Sequence, residues 1–127
     1  MTDIYKLIFL ISCIGAGKPR LWELAQDFDC FEDMYNALVS DNASAYFTPA
    51  EITAARRTSD KHINAVTDYC SQHNITMLAY DDDRYPARLR RIINPPALLF
   101  CKGNADILND EIILSVVGAR NISSYTE

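Results

Sequence analysis

At Asn74 the apolar pattern of the chain changes period, and few arrangements accommodate that change. Upstream, apolar residues recur every three or four positions, as on one face of a helix. Downstream, Ile75–Tyr80, Ala97–Lys102 and Ile112–Val117 are short apolar runs of the kind that strands supply. The last is almost unbroken, which suits a strand covered on both faces of a parallel sheet. The expected fold class is therefore α+β, with an all-helical unit over residues 1–74 and the beginning of an α/β unit over residues 75–127.

Start and stop signals divide the helical unit. A first helix near residues 3–12 carries Ile4, Leu7, Ile8 and Ile11 on one face and ends at Gly15-Ala16-Gly17. A second begins at Pro19, tolerated in a first turn because its missing N–H would be unpaired there, and shows Leu21, Leu24, Ala25 and Phe28. A third shows Phe31, Met34, Tyr35 and Leu38, followed by a polar loop at 40–47. Thr48-Pro49-Ala50-Glu51 has the form of a capping box. That helix breaks at Thr58-Ser59-Asp60 and resumes with Ile63, Val66, Tyr69 and Cys70 inward, and Asn74 is a left-handed stop. Further on, Asp81–Asp83 reads as a solvated turn and residues 86–93 as a short helix.

Charge and cysteine usage narrow the functions. The net charge is −5, with 6 Lys/Arg and 10 Asp/Glu in residues 1–74 and 6 and 7 in residues 75–127. Any affinity for nucleic acid must come from a local patch. Cys13, Cys30, Cys70 and Cys101 have no C-x-x-C spacing and read as reduced, mostly buried thiols in a cytoplasmic protein. Leu10-Ile11-Ser12-Cys13 imitates a lipoprotein cleavage box, but Asp3 offsets Lys6 and the apolar run is short, so a helix is expected rather than export. No run is long enough to span a membrane. His62 and His73 have no nucleophile beside them in a recognisable motif, so no catalytic residue, metal or cofactor is expected.

Three segments are candidates for phosphate contact. Gly15, Gly17 and Lys18 lack the remaining residues of a phosphate-binding P-loop. They could form a helix–hairpin–helix turn offering backbone N–H groups to a phosphate, or a plain turn among the acids Glu23, Asp27 and Asp29. Arg84, Arg88, Arg90 and Arg91 surround Tyr85, cations and an aromatic as in single-strand binding; the alternative is a solvated face neutralised by Asp81–Asp83. Tyr85-Pro86 itself reads as structural, its ring filling a packing gap. Gly118-Ala119-Arg120 follows the third apolar run and precedes a capped helix start at Ser124–Glu127, the place where open α/β sheets bind ligands.

Taken in order, Arg84-Tyr85-Pro86, Leu89, Ile92, Asn94-Pro95-Pro96, Gly103-Asn104 and Val116-Val117-Gly118-Ala119-Arg120 resemble the DNA-processing protein family DprA/Smf. Gly15-Ala16-Gly17, Leu21, Leu24 and Phe28 are similar to that family's N-terminal helical domain. The resemblance implies a sterile-alpha-motif (SAM) or helix–hairpin–helix-like domain over 1–74 and an incomplete Rossmann-like domain over 75–127. It implies a cytoplasmic protein that binds single-stranded DNA, protects it during natural transformation, helps load the RecA recombinase and self-associates through the rest of the domain. It implies neither catalysis nor a cofactor, and it places Gly118, Arg120 and Ser123 in a phosphate loop. Ala119 and Thr126 depart from the family pattern, and the chain stops seven residues after Arg120. Residues 1–127 alone are therefore expected to bind single-stranded DNA poorly. The competing expectation is a helical protein–protein interaction module whose acidic face docks a basic partner.

Overall fold

Burial of the first helix organises everything else. The computed structural model describes residues 1–120. Helix α1 (Ile4–Ile14) buries Leu7, Ile8, Phe9, Leu10 and Ile14, more than one face. A helix apolar on several sides belongs at the centre of a core, and α1 packs against four further helices and the first strand. Asp3 caps it by accepting from the Tyr5 N–H. At its end Gly15 has φ +107°, and a Cβ there would meet the Lys18 side chain at 2.8 Å. Only glycine makes this turn without strain.

Helices α2 (Pro19–Ala25) and α3 (Phe31–Leu38) bury Leu21, Leu24, Met34 and Leu38 against α1. The expected polar loop at 40–47 instead contains a 3₁₀ turn at Ala43–Ala45 and buries Ala43 and Phe47. Phe47 stacks beside Phe28 at 6.2 Å, so the loop closes the helical core.

Helix α4 (Pro49–Arg57) begins with the expected capping box. The Glu51 N–H donates to Thr48 Oγ1 (3.3 Å) and the Thr48 N–H to Glu51 Oε2 (2.8 Å). Glu51 also receives Arg20 Nε at 2.8 Å, tying α4 to α2. Thr48→Ala should cost about 1 kcal/mol, measured as a lowered urea midpoint; an unchanged midpoint would show that the Arg20 bridge holds this end without the cap.

Helix α5 (Asp60–Gln72) follows a break at Thr58–Ser59 and stops at Asn74, which has φ +53°. It buries Ile63 and Cys70 and half-buries Val66. Tyr69, expected inward, is 58% exposed. Its neighbour Cys70, about 100° further round the helix, takes the core position instead.

Strands β1 (Ile75–Ala79) and β2 (Leu98–Lys102) pair antiparallel, from Ile75 opposite Lys102 to Ala79 opposite Leu98. The sheet packs on α5 and α1, with Leu78, Ala79 and Leu98 buried. The run Ile112–Val117, expected as a third strand, forms no regular structure. Ile112, Leu114, Val116 and Val117 are each at least 88% exposed. A strand needs a partner for its ladder of N–H and C=O groups, and none lies alongside it among the described residues. Also among those residues, no helix is long and apolar enough to cross a membrane, and no His, Cys, Asp or Glu cluster could hold a metal. Only Cys70 of the four free thiols is fully buried; Cys30 is exposed.

Candidate nucleic-acid interface

The connection from Tyr80 to Ala97 carries most of the candidate cations. A connection this long needs internal bonds to hold one shape. Asp82, expected in a solvated turn, is 4% exposed. Its carboxylate accepts the Arg84 N–H at 2.9 Å, Arg84 Nε at 3.1 Å and Arg84 Nη2 at 2.9 Å. The Arg84 guanidinium beside it holds this carboxyl below the usual range, against the opposing effect of burial. One edge of the Arg84 guanidinium is thus occupied by Asp82.

Arg90 is also consumed internally. Its guanidinium donates to Tyr80 O at 2.9 and 3.1 Å and to Asp82 O at 2.8 Å. It lies over the Tyr85 ring at 5.1 Å and the Tyr80 ring at 5.5 Å, a stacked geometry that lysine would not reproduce. Arg88 donates to Asp110 O and Glu111 O at 2.9 and 3.0 Å, fastening the segment after β2. The expected quartet of open cations is therefore largely a scaffold, because backbone carbonyls distant in sequence converge on it. Arg91 is exposed and, among the described residues, has no hydrogen-bond partner.

Tyr85 is fully buried and fills the gap as its sequence context suggested. Its hydroxyl donates to Pro96 O at 2.7 Å, while Trp22 Nε1 donates to Pro95 O at 2.7 Å and the Tyr80 N–H to Ala97 O at 2.9 Å. Proline has no N–H to give, so a Pro-Pro segment presents only acceptors. Three consecutive carbonyls are thus taken by three separate aromatic residues. Trp22 and Tyr80 also meet at 4.9 Å, which locks α2 onto the connection.

The other candidates stay apart from this node. Gly118 and Arg120 are exposed, and Arg120 has no bonded partner among the described residues. They do not follow a strand, since 112–117 is irregular. Ser123 and the helix start at Ser124–Glu127 lie outside the described residues. Gly15, Gly17 and Lys18 form the α1–α2 turn, with the Lys18 side chain folded over Gly15.

Sequence reasoning passed over another group of cations. Arg56, Arg57 and Lys61, at the α4–α5 corner, are exposed and form no ion pair among the described residues. Their signal was available as basic residues closely spaced across a helix break in an acidic half-chain.

Comparison with known proteins locates the resemblance in the second part of the chain. The family model described as DNA recombination-mediator protein A matches residues 76–127. No curated protein and no solved structure matches the chain significantly. The matched stretch contains the Asp82–Arg84–Tyr85–Arg90 node and its Pro95-Pro96 acceptors as well as Gly118 and Arg120. From Thr76 onward the chain is similar to the DNA recombination-mediator protein A family, the DprA/Smf type that its Tyr-Pro, Pro-Pro and Val-Gly-Ala-Arg residues resemble.

Proposed function

We propose that this chain acts as a cytoplasmic, non-enzymatic recombination mediator that binds single-stranded DNA, protects it during natural transformation and helps load RecA. The family match over residues 76–127 carries this reading. In it, residues 1–74 form a SAM or helix–hairpin–helix-like domain, residues 75–127 belong to a Rossmann-like domain, and the protein self-associates through that domain. Arg84 and Arg88, bonded within the chain, act by shaping the connection. Arg91 and Arg120 contact phosphate, with Gly118 allowing close backbone approach and Ser123 adding a hydroxyl. Gly15, Gly17 and Lys18 are a further turn at which backbone N–H groups and one cation can meet a phosphate.

The test is fluorescence anisotropy of a labelled thymidine oligonucleotide at low salt. Residues 1–127 should bind weakly, and Arg120→Ala should weaken binding further. It should also flatten the salt dependence by about 0.7 log units per log unit of salt for each lost phosphate contact. No binding at low salt, or an Arg120→Ala variant indistinguishable from the parent in affinity and slope, would sink the assignment of Arg120. The competing interaction-module reading predicts that Arg120→Ala leaves partner binding intact.

A further inference from the structure

We propose that the outer face of α5, running from Arg57 past His62 to Phe100, is a second path for single-stranded nucleic acid, separate from the Gly118–Arg120 segment. Two open grooves meet at His62. One, of about 740 Å³, is bordered by Ser12, Thr53, Arg57, Thr58 and His62. The other, of about 520 Å³, is bordered by His62, Val66, Tyr69, Ile75 and Phe100. His62, Val66 and Tyr69 fall at helical spacing on one stripe of α5, and His73 follows at its C-cap. The Tyr69 ring stands against the His73 imidazole at 4.1 Å and 51°. Tyr69 is 58% and Phe100 52% exposed, so both rings have a face open to a base.

The charges favour nucleic acid over an apolar peptide. Arg57 borders the first groove, and Arg56 and Lys61 lie on the same corner, none of them in an ion pair among the described residues. Asp60, the nearest acid in sequence, accepts the Tyr5 hydroxyl, and Asp68 sits on the flank of α5 away from the stripe. A local cluster of open cations in a chain of net charge −5 attracts a polyanion at that corner. Cations leading onto exposed rings is the arrangement that tracks a phosphodiester backbone while bases stack. A peptide would use the rings and leave the cations idle. The nature of the ligand rests on the proposed DNA-binding function; the position does not.

The test uses the whole chain with an oligonucleotide carrying 5-iodouracil, photo-crosslinked at low salt and mapped by mass spectrometry, alongside anisotropy on Arg57→Ala, Tyr69→Ala and Arg120→Ala. Arg57 and Tyr69 are both on the surface, so the variants should fold, which circular dichroism verifies. Cross-links should fall on Tyr69 or Phe100. Tyr69→Ala should weaken binding about five- to tenfold, and Arg57→Ala should weaken it and flatten its salt dependence. Cross-links confined to Arg84–Arg91 or Gly118–Arg120, with affinity indifferent to Arg57→Ala and Tyr69→Ala, would overturn the second path and leave the DNA-binding function standing. No binding by the parent chain removes both. A changed sedimentation coefficient for Tyr69→Ala with unchanged DNA affinity would make this face a contact between copies, and would also overturn it.

Discussion

Tyr85→Ala should destabilise the protein by about 3–5 kcal/mol, the range for removing a large buried aromatic. Tyr85 is fully buried, so the space it vacates opens inside the Tyr80–Ala97 connection. Two further losses accompany the cavity. Pro96 O loses its hydroxyl donor, and the Arg90 guanidinium loses the ring it covers at 5.1 Å. Since small domains hold about 5–15 kcal/mol in total, this one change should leave the second part of the chain marginal. Tyr85→Phe separates the contributions: it keeps the packing and leaves one carbonyl unpaired, at a cost of about 1–2 kcal/mol. Burial raises the affinity of the Tyr85 phenol for its proton, so it remains a neutral donor throughout the neutral range. Urea unfolding of both variants checks the ordering, and equal losses would mean that the hydrogen bond, not the packing, dominates this site.

What the sequence made legible here follows from how local each determinant is. The capping box at Thr48, the glycine turn at Gly15 and the left-handed Asn74 are set by residues within one turn of each other, and all three are found as expected. The inward role of Tyr85 was legible too, because Pro86 restricts the backbone of the residue before it. The fate of the arginines was not. Arg90 is hydrogen-bonded by carbonyls of Tyr80 and Asp82, and Arg88 by those of Asp110 and Glu111, acceptors that every residue carries and no pattern distinguishes. Tyr69 fits the inward period, yet Ile63 and Cys70 fill the space against the core, and periodicity alone cannot choose between adjacent positions on a helix. The run Ile112–Val117 has strand composition, but composition supplies no neighbour, and pairing is what makes a strand.

Asp82→Asn should lower stability at neutral pH by about 1–3 kcal/mol, with the difference from the parent shrinking in acid. The parent carboxylate meets two guanidinium nitrogens and one backbone N–H of Arg84. Asparagine retains an acceptor for the backbone N–H, the Asx-turn bond, but offers only one oxygen and no charge to the fork. Arg84 remains partly exposed, so its charge is still hydrated after the change; this places the cost below that of breaking a fully buried ion pair. The hydrogen bonds from the Arg84 side chain depress the folded-state value of Asp82, with burial opposing. A carboxyl depressed on folding contributes stability that is complete above its unfolded value, about 3.9, and is lost as pH falls through the folded one. The difference between parent and Asp82→Asn should thus be constant from pH 7 to about 5 and narrow below about pH 4. Comparing the two proteins at each pH cancels the titration of the other acids, whose number would otherwise mask one group. A difference that stays level down to pH 3 would mean that the neutral carboxyl serves Arg84 as well as the ion does. The contribution of Asp82 would then lie in the shape of its turn, not in its charge.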